Sequence, residues 1–118
     1  MKVTIQAGKY YLGDPCYSLN ESWKDILKQS NNFKESLIDV PEGQILAFKT
    51  AYGDGQYPSN AGRRFCVDSG LIGLVPMALA EKEKQTIFNS MPIEFTEPTL
   101  CKRVKGKLYF GIVVIDTN

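Results

Sequence analysis

Apolar and polar positions divide this chain into short runs. From Val3 to Ala7 they alternate, the period of a half-buried strand. Gly8 and Lys9 read as a turn, and Tyr10 to Leu12 starts a second strand. It stops at Gly13-Asp14-Pro15, because proline cannot donate to a ladder. Ser18, with Glu21 three residues later, is a capping-box pair. It predicts a helix from Leu19 to Gln29 with Leu19, Trp23, Ile26 and Leu27 on one stripe, ended by Asn31-Asn32. Ser36 to Val40 is a short strand closed by the Pro41-Glu42-Gly43 turn. Gln44 to Tyr52 is another, with Leu46, Phe48, Thr50 and Tyr52 on one face.

The run from Tyr52 to Pro76 is too long for a plain hairpin connection. Gly53, Gly55 and Gly62 surround Asp54 and Tyr57, and the chain then turns apolar while keeping Asp68 and Ser69. Arg64 to Ser69 reads as a strand that continues through Leu71 to Val75 by a bulge or bend at Gly70. Pro76 suits the first turn of a helix over MALAEKEKQTIF that ends near Asn89. Pro92 to Phe95 and Thr99 to Lys105 are strand-like, and Gly106 turns the chain. Lys107 to Ile115 is apolar on both faces and predicts one central strand covered above and below. The order β-β-α-β-β-β-α-β-β predicts a largely antiparallel α+β domain with a strongly curved sheet, half-barrel or sandwich-like.

At 118 residues the chain is one domain. Its 14 basic and 13 acidic residues leave a net charge of +1, so no general field draws bulk nucleic acid or an anionic membrane. The densest basic cluster, Lys102, Arg103, Lys105 and Lys107, reads as a solvated hairpin. No apolar run is long enough for a signal peptide or a bilayer span, which predicts a cytoplasmic protein. Cys16, Cys66 and Cys101 are odd in number and far apart, as befits reduced thiols. The chain has no histidine. That removes Ser-His-Asp and Cys-His nucleophiles, paired-histidine phosphoesterases and histidine metal sites, and leaves acid–base work to Asp, Glu, Lys, Tyr or Cys.

Two segments carry the candidate chemistry, GDPCY at 13–17 and the long run at 52–76. Asp14, Asp54 and Asp68 together would offer the oxygen ligands that Mg²⁺ or Mn²⁺ prefers, though Asp14 and Asp54 equally suit turns. Asp68 stands inside an apolar run, where it needs donors, a cation or a cleft. Cys16, before a helix, is a candidate nucleophile or a packed thiol. Arg63 and Arg64 suit phosphate, Tyr17, Tyr52 and Tyr57 suit stacking, and Ser69 offers a hydroxyl. On these residues the catalytic candidates are Asp14, Asp68 and Cys16, and the ligand contacts are Tyr17, Tyr52, Asp54, Tyr57, Arg63, Arg64 and Ser69.

The segments GDPCY, GDGQY at 53–57 and VDSGLIGLVP at 67–76 resemble those of a group of small, functionally obscure bacteriophage and bacterial proteins. In that group Gly-Asp-Pro-Cys comes early, a Trp-containing segment follows, and a Gly-Asp-Gly-x-Tyr hairpin precedes Val-Asp-Ser-Gly; Trp23 and Tyr57 match. The resemblance covers the first two-thirds of the chain, and residues 77–118 carry no motif of the group. It implies a phage counter-defence protein in the host cytosol, acting on a nucleotide immune signal. The leading expectation is cleavage of a cyclic nucleotide phosphodiester; the alternatives are sequestration of the intact nucleotide in a homo-oligomer, and a protein-binding inhibitor or structural module that acts through a strand edge or loop and has no small-molecule site.

Overall fold

The computed structural model describes residues 1–19, 23, 24, 28, 35–82 and 90–118, with only the backbone of Ser36. It is mostly antiparallel β structure. The strands are β1 (Lys2–Ile5), β2 (Gly8–Gly13), β3 (Ser36–Val40), β4 (Gly43–Lys49), β5 (Gly55–Pro58), β6 (Arg64–Val67), β7 (Leu71–Pro76), β8 (Met91–Phe95), β9 (Thr99–Val104), β10 (Lys107–Phe110) and β11 (Val113–Asp116). The described residues include two short helices, α1 (Pro15–Ser18) and α2 (Met77–Lys82). Sheet I has the order β1-β9-β10-β11 and sheet II the order β3-β4-β7-β2-β8, while β5 and β6 form a separate hairpin.

No sheet is strongly curled or closed, in contrast to the strongly curved, half-barrel or sandwich-like sheet expected from the element order. The chain instead changes sheets. It leaves sheet I between β1 and β2, and returns to it between β8 and β9. At Gly70, where φ is 79°, it does not bulge within one strand but leaves the hairpin for the centre of sheet II. Each transfer turns the chain without bending a sheet.

The predicted central strand from Lys107 to Ile115 is also corrected. It is a hairpin, β10 and β11, turned at Gly111 with φ 63°, a left-handed conformation that glycine adopts without steric cost. Leu108, Phe110, Val113 and Ile115 face the core, whereas Ile112 is 90% exposed at the tip. The doubly apolar pattern came from overlaying two half-buried strands.

The main core lies where sheet I, sheet II and the β5–β6 hairpin meet. Ile5, Phe48, Phe65, Leu74 and Phe110 are fully buried there, with the Phe48 and Phe110 rings 5.5 Å apart. A second cluster, Leu19, Ile38, Ile45, Val75, Leu79 and Ala80, gathers residues of sheet II with those of α2 and the end of α1, and Trp23 packs against it. Gly73 sits at the closest approach of β7 to β4: a Cβ there would stand 1.7 Å from the Leu46 carbonyl oxygen.

The expected helix from Leu19 to Gln29 falls largely outside the described residues. Trp23, Lys24 and Lys28 are helical, and Leu19 is the extended C-cap of α1. The end of the second predicted helix, 83–89, likewise lies outside them, and Pro76 closes β7 rather than opening α2. Among the described residues, no helix is long and apolar enough to cross a membrane.

Candidate functional site

The two motifs meet at Asp14. Leu12 and Gly13 end β2 opposite Leu74 and Gly73 of β7, which brings GDPCY against the turn that feeds β7. Asp14 is the N-cap of α1 and Pro15 its first residue, a pairing that suits a helix start because proline has no N–H to leave unsatisfied. The GDPCY segment therefore opens a one-turn helix of its own that ends at the extended Leu19, separate from the helix expected over Leu19 to Gln29, which lies largely outside the described residues.

Asp14 is fully buried, and both carboxylate oxygens are occupied. Oδ1 accepts from the Cys16 N–H at 3.0 Å and the Ser69 hydroxyl at 2.6 Å. Oδ2 accepts from the N–H groups of Asp68 at 2.7 Å and Ser69 at 2.8 Å. A carboxylate has about four lone-pair sites, so these four donors fill it. The Leu71 N–H donates to Ser69 Oγ at 3.2 Å, which extends the network into β7. Asp14 is a latch between positions 54 and 55 residues apart in sequence.

Asp68, expected to need shelter in an apolar run, is exposed. Its neighbours Phe65 and Val67 are buried, but its carboxylate points outward and accepts the Tyr17 hydroxyl. The hydrogen bond to Asp68, followed by burial, pushes the Tyr17 phenol above its ordinary value of 10.0. The raised value means that the fold favours the protonated phenol. This contribution is full below pH 10 and disappears as the pH climbs through the raised value. Ultraviolet titration of the native protein should therefore show one tyrosine ionising late, and Asp68→Asn should return it toward the ordinary range. A titration unchanged by Asp68→Asn would rule out the pairing.

Cys16 is half-buried. Burial first, and the Asp14 carboxylate second, push its thiol well above the usual range, the reverse of activation by a helix N-terminus. Cys101 is fully buried and its thiol is pushed up to about 11 by burial, while Cys66 is half-buried on β6.

The remaining predicted residues separate into two places. Arg63 lies over the Phe65 ring at 5.2 Å and donates from Nη1 to the Ser90 carbonyl at 3.4 Å. Ser90 Oγ lies 3.4 Å from Ser18 Oγ, so Arg63 is tied to the end of α1 next to Tyr17. Nothing in the sequence around Ser90 signals this bridge. Arg64 is exposed at the start of β6. Tyr52, 74% exposed, and Asp54 belong to the loop before β5, at the opposite end of the hairpin from Arg64. That loop backs onto the Ser69–Gly70 turn, with Gly53 against Gly70. Tyr57 is buried and its hydroxyl donates to the Gly53 carbonyl at 2.8 Å, so it braces the loop from inside and offers no stacking face. Among the described residues, no three or more acids and thiols gather where a metal ion could sit.

No known family model, curated protein or solved structure gives a significant match to the chain.

Proposed function

We propose that the chain acts by binding a small phosphate-bearing, nucleotide-like molecule without breaking it. The observation that carries this reading is the saturation of Asp14. A general acid or base must exchange a proton with its substrate, and a metal ligand must offer a lone pair; a buried carboxylate with four donors does neither. Cys16 is held as a thiol rather than a nucleophilic thiolate. Sequestration is thus favoured over phosphodiester cleavage, with the latch holding the start of α1 against Asp68 and Ser69.

The ligand class rests on Arg63 and on the resemblance to phage proteins. Arg63 uses one guanidinium nitrogen on Ser90 and keeps further donors for a phosphate, and Tyr17, one residue from the Ser18 hydroxyl that meets Ser90, offers a ring for a base. Calorimetry and thermal-shift measurements against a panel of cyclic di- and trinucleotides test this. One member should bind and be recovered chemically intact, and Arg63→Ala should weaken it about ten-fold, the loss of one charge-assisted contact. Any product formed would restore cleavage. Silence across the panel would remove the nucleotide.

A further inference from the structure

Sheet I has a second face that the core does not use. Alternation places Lys2, Lys102, Tyr109 and Val114 in one row across all four strands, pointing away from the core. Lys2 and Lys102 stand directly opposite each other, and like charges in that position oppose pairing. The row contains no acid. Lys107, one row on, faces Asp116, whose carboxylate already accepts from the Asn118 backbone and side chain, each at 3.0 Å. Arg103 is turned to the core side and paired with Glu35. Leu100 and Val104, 44% and 46% exposed, flank the cations along β9. A chain of net charge +1 thus concentrates positive charge among exposed aliphatic groups on one sheet face.

We infer that this outer face of sheet I docks an acidic polypeptide segment with interspersed apolar side chains. The Lys2–Lys102 juxtaposition is relieved when carboxylates lie between the two ammonium groups. Leu100 and Val104 give the segment's apolar residues somewhere to bury. The composition of the face favours a polypeptide over single-stranded nucleic acid. Bases need aromatic platforms, and here Tyr109 is a single ring, already covered by the Lys102 ammonium 5.0 Å from its centre. This surface is separate from the latch and stands or falls independently of the nucleotide reading.

The test is fluorescence anisotropy on the full chain at low salt. Its probe is a labelled twelve-residue peptide, three repeats of Glu-Leu-Asp-Ser, with oligoglutamate and oligothymidylate of equal length for comparison. The Glu-Leu-Asp-Ser peptide should bind tightest and weaken as salt screens the contacts. Lys102→Glu should weaken it at least about ten-fold by reversing one contacting charge. Its melting temperature should hold or rise, because it now pairs with Lys2. Lys2→Glu should do the same from the other strand, so that a folding defect in either variant does not decide the matter. A double Leu100→Ser, Val104→Ser variant should lose the preference over oligoglutamate. The inference is overturned if the peptide does not bind, if both charge reversals leave binding unchanged, or if oligothymidylate binds more tightly. Sedimentation showing self-association that Lys102→Glu abolishes would also overturn it, by making a second copy the occupant.

Discussion

Asp14→Ala should cost on the order of 4 kcal/mol of folding stability, a large share of the roughly 5–15 kcal/mol typical of a domain. The substitution strips four donors of their acceptor at once, in a place where Asp14 itself is fully buried. Each bond to a charged acceptor is worth about 1.5–3 kcal/mol, and the total is less than the sum because the four share one group. Asp14→Asn should lose about half as much. Its amide oxygen can keep the N–H groups of Asp68 and Ser69, while its NH₂ then faces the Cys16 N–H, donor against donor. Urea unfolding should show a lowered midpoint at an unchanged slope. A variant within about 1 kcal/mol of the parent would mean the latch holds nothing.

Gly73→Ala should be at least as damaging, through packing rather than polarity. The new methyl would sit 1.7 Å from the Leu46 carbonyl oxygen and 2.9 Å from the Ala47 Cα, both backbone atoms of β4. No rotamer change relieves contact with a strand, so β4 and β7 must part in the middle of sheet II. A loss on the order of 4 kcal/mol or more, seen as failure to fold or a collapsed melting temperature, is expected. Gly62→Ala is the control. Nothing lies within 4 Å of its Cβ, and only the positive φ of 78° opposes it, so about 1 kcal/mol should be lost. Equal damage from the two would show that strand proximity at Gly73 is not the cause.

Strand period and turn residues made much of this fold legible before any coordinates. Ser36–Val40 and the antiparallel arrangement follow from alternation and from the glycine and proline turns. What alternation does not encode is which sheet a strand joins. Val67 and Leu71 lie on either side of one glycine yet belong to different sheets, and only the hairpin partner at Gly55 and the central gap beside Leu46 decide that. The meeting of Asp14 with Asp68 and Ser69 was legible as two acidic turns that interrupt apolar runs. Their relative burial was not. A carboxylate in an apolar stretch suggests shelter, but strand phase turns Asp68 outward, while Asp14, beside a proline and a glycine, is enclosed by the turn it caps.

The membership of sheet I has a consequence for biosynthesis. Lys2 pairs with Lys102, so the first strand leaves the ribosome long before its neighbour exists, a wait of roughly 5–20 seconds at ordinary translation speeds. Once β7 is made, the Phe48 and Leu74 side of sheet II has only the β5–β6 hairpin against it until sheet I forms. Chains interrupted before β9 are released with that oily surface only partly covered, and they should be the species that chaperones hold and proteases clear.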